Sequence, residues 1–377
     1  MTGVLALGVC ALLLLAVTTA RFARSARTRR GPAARAHDPG EPPRRRLGTY
    51  LTWRRITVLG LVTGVTVTGA SVGNSLWGAD RHDRSTPFYL GAQPIKTPAS
   101  VVVAAAGDIS CPADKALLDE ELSRPNSCRM DLTAALLKSV SPDTVLSLGD
   151  NQYPSGSLKD FRASYDKNWG AFRTITYPVP GNHEYGTPGA SGYFSYFGNR
   201  AGEPGKGYYS YDLGAWHIVA LNSECQHVGG CGAGSPQARW LKRDLAAHPR
   251  ECTMAYWHRP RFSSGTHGNN VDNDPLWRIL STQGADVVLG GHDHDYERFS
   301  PLDGAGKPDA AHGMTEFVVG TGGDSHYRLH LPVEGSARRI TGRYGVLRLQ
   351  LRDGAFSWTF LTAPNGVVAD AGTTTCH

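Results

Sequence analysis

No two of the seven cysteines in this 377-residue chain stand at the two- to four-residue spacing of a structural zinc site. Beyond residue 80 no Gly-x-Ser-x-Gly element occurs, which removes the nucleophile turn of a serine hydrolase from the body of the chain. No internal repeat is evident. Residues 1–77 lack lysine altogether and hold only Asp38 and Glu41 as acids against eleven arginines, a net charge of +9. The remainder carries 28 basic and 31 acidic residues, so the formal +6 of the chain belongs entirely to this leader. A mildly acidic body argues against nucleic acid held in a basic groove. About 300 residues remain for folding, ample for one large core.

The leader reads as two uncharged stretches, 3–20 and 56–79, separated by an Arg-, Pro- and Ala-rich linker whose composition cannot build a core. The first stretch is just long enough to span a bilayer. With the arginine loop inside, residues beyond about 80 fall outside the cytoplasm. Alternatively, the second stretch is a cleaved signal: Thr52-Trp53-Arg54-Arg55-Ile56 faintly resembles a twin-arginine export signal, and Thr68-Gly69-Ala70 offers small residues for cleavage. Either route gives an extracytoplasmic protein, membrane-anchored or secreted. Residues 1–80 are thus expected to form a leader, 81–100 a polar link and 101–377 the catalytic domain.

The six cysteines outside the leader form an even set, which reads as disulfides in an oxidising compartment. Of fifteen possible pairings, nearness in sequence favours Cys111–Cys128 and Cys225–Cys231. Cys252–Cys376 is then left by elimination.

Apolar runs predict strands at Val101–Ala106, Thr144–Leu148, Ile175–Val179, Thr253–Trp257, Val287–Leu289 and Phe317–Val319. Hairpins are expected at Tyr208–Leu213 with Trp216–Asn222 and, across Asp353-Gly354, at Tyr344–Leu351 with Ala355–Leu361. Helices are expected at Leu132–Val140, Leu158–Phe172, Pro275–Gln283 and from Ser235-Pro236 to Ala247, the last with Ser as N-cap and Pro in the first turn.

Metal-ligating residue types recur just after these strands: Gly107-Asp108, Gly149-Asp150 with Tyr153, Gly181-Asn182-His183, His258, and Gly291-His292-Asp293-His294. Ligands of α/β sheets collect at strand carboxyl ends. Asp108, Asp150, Tyr153, Asn182, His258, His292 and His294 together offer the carboxylate, phenolate, amide and imidazole donors of a hard or borderline metal. Seven donors suffice for two metals sharing one bridging carboxylate, an arrangement suited to phosphate-ester hydrolysis. His292 and His294, two apart, face the same way on an extended segment.

This order of motifs resembles the metallophosphoesterase (calcineurin-like) superfamily over roughly Val101 to Leu361, and within it the purple acid phosphatase branch. The Asp-x-His of the generic first motif is absent, and Tyr153 three residues after the second Asp is the feature of the purple enzymes. Ser110 and Ala255 stand where that branch usually has Gly and Val. The separate N-terminal β-sandwich of large plant-type enzymes is not expected. The resemblance implies an α/β sandwich of two mixed sheets flanked by helices, with Asp150 bridging two metals. Asp108, Tyr153 and His294 would complete a ferric site, and Asn182, His258 and His292 a divalent iron, zinc or manganese site. It implies that His183 protonates the leaving alkoxide or stabilises the phosphate, and it places substrate-contacting histidines near His267, which is expected to contact phosphate; Glu184 is expected to orient His183. Asp293 and Asp295 are expected either to fix imidazole tautomers or to be solvated loop residues.

The expected function is a phosphomonoesterase using a metal-bound hydroxide on a small phosphate ester. A phosphodiesterase acting on nucleotides or lipid head groups is the alternative within this chemistry. A non-catalytic membrane-anchored binding protein is the alternative of another class.

Overall fold

The computed structural model describes residues 88–92, 100–114 and 128–377. Both apolar leader stretches and most of the link fall outside the described residues. Among the described residues, no helix is long and apolar enough to cross a membrane.

Fourteen strands are described: β1 Tyr89–Ala92, β2 Ser100–Ala106, β3 Thr144–Leu148, β4 Thr176–Val179, β5 Tyr209–Leu213, β6 Trp216–Ala220, β7 Cys252–Tyr256, β8 Val287–Gly290, β9 Tyr296–Phe299, β10 Thr315–Val319, β11 Ser336–Ile340, β12 Gly345–Arg352, β13 Ala355–Thr362 and β14 Val367–Thr375. They form two mixed sheets, of order β1-β5-β6-β7-β8-β10-β9-β11 and β14-β13-β12-β2-β3-β4. In the smaller sheet β2, β3 and β4 run parallel. In the larger one β6, β7, β8 and β10 do.

The side-chain alternation of a strand, period two, decides how the layers stack. Ile218, Met254, Leu289 and Phe317 of the larger sheet join Val103 and Leu146 of the smaller one in a single apolar cluster between the sheets. Their chain neighbours Val219, Ala255, Val288 and Val318 point to the other face. There they meet Trp240 and Leu241 of one helix, Pro236–Ala247 (α4), and Trp277 and Leu280 of another, Asp274–Thr282 (α5). Ser235 caps α4 by accepting from Ala238 N at 3.2 Å, with Pro236 in the first turn. Helices α1 Met130–Val140, α2 Leu158–Ala163 and α3 Ser191–Phe197 lie between strands of the other half.

Several boundaries differ from expectation. The helix expected over Leu158–Phe172 stops at Ala163 and gives way to 3₁₀ turns at Tyr165–Lys167 and Trp169–Ile175. Ser164 and Asn168 fall at these breaks, residue types that favour turns over helix interiors. The polar link contains β1, which pairs parallel with β5. Strands β9, β11 and β14 were not anticipated. The three disulfides are Cys111–Cys128 and Cys225–Cys231, which nearness in sequence favoured, and Cys252–Cys376, which elimination left.

Candidate metal centre

The parallel neighbours β2, β3 and β4 end in line, and the turns that follow carry Asp108, Asp150 with Tyr153, and Asn182. The parallel neighbours β7 and β8 of the facing sheet are followed by His258 and by His292 and His294. Each sheet therefore delivers part of one cluster. The turns are strained: Asp108, Asp150 and His292 adopt φ of 59°, 43° and 69°. A left-handed conformation costs a non-glycine residue roughly 1–2 kcal/mol, and such strain persists where surrounding bonds enforce it. Here Asp108 N donates to Gly149 O at 3.1 Å, and His292 N to Asp108 Oδ2 at 2.8 Å. Two glycines make room. Gly149, at φ 83°, would place a Cβ 2.5 Å from His258 Nδ1, and a Cβ on Gly181 would strike Asp150 Oδ1.

All seven side chains join one network. Tyr153 OH lies 3.1 Å from Asp108 Oδ1, 3.3 Å from Asp150 Oδ2 and 3.0 Å from His294 Nε2. His258 Nε2 lies 3.2 Å from the same Asp150 oxygen, 3.2 Å from Asn182 Oδ1 and 3.1 Å from His292 Nδ1. Asp150 Oδ2 thus stands between two donor sets. The imidazoles are oriented from behind. His258 Nδ1 pairs with Leu148 O at 2.9 Å and His294 Nδ1 with Ser325 O at 2.6 Å, which turns each Nε2 to the cluster. On His292 the order reverses, because Arg259 Nη1 occupies Nε2 at 3.0 Å and Nδ1 faces inward.

The charge distribution fits cations. Burial alone would lower the His258 and His294 imidazoles. The Asp150 and Asp108 carboxylates outweigh it and push them up to about 10 and about 9. Burial pushes the Tyr153 phenol far up, and Asp108 and Asp150 add to this. Burial, then Arg259, drives His292 down. The carboxylates draw protons onto their neighbours, a demand for positive charge that bound metals would also meet. Asp108, Tyr153 and His294 can hold one ion, and Asn182, His258 and His292 a second, with Asp150 between them.

His183 and His267 flank this cluster. His183 lies with Nε2 3.8 Å from Asp150 Oδ2, its Nδ1 paired with Pro154 O at 2.7 Å. The His267 ring stacks on His292 with centroids 4.0 Å apart. Glu184 does not orient His183: its buried carboxylate accepts from the backbone N–H of Asn151, Gln152 and Gly181, at 2.9, 3.2 and 2.7 Å. Asp293 and Asp295 fix no tautomer of His258, His292 or His294, since Leu148 O, Arg259 Nη1 and Ser325 O hold those rings, and both are fully buried rather than solvated. Ser110 is also buried and lines no approach to the site. Sequence reasoning passed over Arg259, whose Nε is paired with Glu224 at 2.7 Å, and Tyr327, whose ring stacks on His294 at 3.9 Å. The adjacency of Arg259 to His258 was the signal available for the first; nothing in the sequence marked the second.

Residues 102–296, more than half of the chain, match the calcineurin-like phosphoesterase family. The chain belongs to that family. Within the family it is similar to purple acid phosphatase 15 of Arabidopsis thaliana, 30% identical over 195 residues that cover 42% of this chain and 36% of the relative. It is also similar to the Fe(3+)-Zn(2+) purple acid phosphatase 12 of the same plant, 27% identical over 270 residues, 60% of this chain and 55% of the relative. Among solved structures, a purple acid phosphatase from yellow lupin (Lupinus luteus) seeds superposes with a TM-score of 0.62 at 18% identity, covering 73% of this chain and 54% of that one. The matches thus take in about half or less of the length of these relatives.

Proposed function

We propose that the chain is an extracytoplasmic phosphoric monoester hydrolase of the purple acid phosphatase kind, working with two metal ions. The observation that carries this reading is the position of Asp150 Oδ2, 3.3 Å from Tyr153 OH and 3.2 Å from His258 Nε2, at the junction of two donor sets. The phenol of Tyr153 favours a strongly Lewis-acidic ion such as ferric iron in one set, and the Asn182, His258 and His292 set suits divalent iron, zinc or manganese. Similarity to an Fe(3+)-Zn(2+) relative supports the same assignment.

When bound, the metals would neutralise phosphoryl oxygens and make a water acidic enough to attack in line. The protein groups supply the rest. Because His183 Nδ1 is committed to the Pro154 carbonyl, Nε2 is the atom that would deliver a proton to the leaving oxygen. Asp150, which His258 and His183 hold well below the usual carboxylate range against the opposing effect of burial, keeps a negative charge beside that imidazole. His267, stacked on His292, would contact the phosphate. The three disulfides support an oxidising compartment, and the N-terminal segments would provide export, with or without a membrane anchor.

Metal analysis of purified protein, combined with turnover of a monoester and a diester, tests this reading. Two metals per chain with preference for the monoester support it. Preference for the diester would reassign the substrate class, and bound metal without turnover of either would point to a binding protein.

A further inference from the structure

We propose that Asp293 is a positioning residue that couples the His292–His294 turn to His267. The inference rests on the phosphoesterase reading above. In the turn His292-Asp293-His294, both imidazoles reach the metal cluster while the Asp293 side chain lies away from it. Its carboxylate is fully buried and reaches a different segment, Arg261 to His267. Oδ1 accepts from His267 N at 2.8 Å and Oδ2 from Ser263 Oγ at 2.5 Å. Gly265 passes so close that a Cβ there would strike this carboxylate. Two further buried acids pin the start of the segment: Glu316 accepts from Arg261 N and Phe262 N at 2.7 and 2.9 Å, and Glu297 from Ser264 N at 2.7 Å.

These three bonds stop at Ser264. Beyond it, the His267 N–H is the backbone donor tied to the turn that bears two proposed ligands, and the His267 ring rests on one of them. A carboxylate accepting from a backbone N–H makes a short, charge-assisted bond. Asp293 therefore sets where the His267 imidazole lies relative to the metals, so that the residue contacting phosphate moves with the residues holding the ions.

A double-mutant cycle on the full metal-loaded chain tests this, reading kcat/KM on a phosphomonoester and the inhibition constant of inorganic phosphate. Asp293→Ala should retain both metals, lower kcat/KM about 10-fold and raise the phosphate constant by a similar factor, within the range of a lost charge-assisted bond. In the His267→Ala background the same substitution should change neither value by more than about two-fold, the usual limit of additivity error. Asp293→Asn, which keeps an acceptor for the His267 N–H, should stay within about three-fold of wild type. Full multiplicative losses in the double variant, or loss of metal from Asp293→Ala, would overturn the assignment. Should Asp293→Ala not fold, Ser263→Ala frees Oδ2, and its loss of activity must also vanish without His267; persistence there overturns the assignment equally. A metal-loaded wild type that neither turns over phosphoesters nor binds phosphate would instead overturn the functional reading itself.

Discussion

The His183 imidazole lies tilted over the Tyr153 phenol, ring centroids 4.2 Å apart, while its neighbour Asn182 reaches His258 Nε2 at 3.2 Å. Two adjacent residues thus serve different parts of the centre and should fail differently. His183→Ala should keep both metals yet lose about 100-fold or more in rate on an alkyl phosphate, the typical effect of losing a general acid. An aryl phosphate, with its better leaving group, should suffer less. Equal losses on both esters would point to phosphate positioning, and unchanged rates would remove His183 from catalysis.

Asn182→Ala takes a donor from the set around His258. Metal analysis should show one ion per chain lost together with activity. An unchanged metal content would place Asn182 outside the centre.

Tyr153→Phe addresses metal identity. If a ferric ion sits against the phenol, the purified protein should be coloured by phenolate-to-iron charge transfer, and the substitution should abolish the visible band. A colourless wild type, fully active with zinc or manganese alone, would remove the ferric assignment and leave the hydrolase intact.

Away from the centre, His217 on β6 is buried between two carboxylates, Nδ1 2.9 Å from Asp212 and Nε2 2.9 Å from Asp244. Burial alone would lower this imidazole, but Asp244 and Asp212 together raise it. A raised value in the folded state gives stability that is complete below the unfolded value of about 6.5 and is lost as pH rises through the folded one. The melting temperature should therefore fall on the alkaline side. His217→Ala should abolish that slope and cost about 1–3 kcal/mol, because each buried carboxylate loses one bond while Asp212 keeps Arg250 and Asp244 keeps Ser210 and His248. Denaturation followed across about pH 5 to 10 checks both; an alkaline slope that persists in the variant refutes the role.

Cys252–Cys376 closes a span of 124 residues. Cys376→Ser should lower stability by about 2–4 kcal/mol in denaturant titration. Mass mapping without reductant on protein from its native host should recover all three disulfides; six free thiols would refute the extracytoplasmic reading.

The sequence made some of this plain. Gly107-Asp108, Gly149-Asp150 and Gly291-His292 were legible because a buried apolar run that stops at glycine and a polar donor has few other uses. Asp353-Gly354 marked its hairpin for an equally local reason. What stayed hidden depended on distant partners. Glu297 sits in β9 and Glu316 in β10, both fully buried, yet acids in strands read as solvated until the backbone donors of Arg261, Phe262 and Ser264 are seen beside them. Strand β14 is largely exposed and shows no clear apolar alternation, so only its pairing with β13 reveals it. Glu184 was assigned to an imidazole, and Asp293 to an imidazole or to solvent, because those are what lies near them in sequence; in space Glu184 holds backbone N–H groups, and Asp293 holds the His267 N–H and the Ser263 hydroxyl.

The seam between the two sheets is closed differently at its two ends. Strand β7 begins at Cys252, bonded to Cys376 just past β14 of the smaller sheet, and leads at its other end to His258. At that end both proposed ion sites draw donors from both sheets. Cations there would act as removable rivets opposite a permanent hinge pin. Ion binding would appear as cohesion between the layers, about 2.7 kcal/mol at a free-ion concentration a hundred times the dissociation constant. A chelator should then lower the melting temperature, loosening the edge where the chemistry happens while the Cys252–Cys376 end stays sewn.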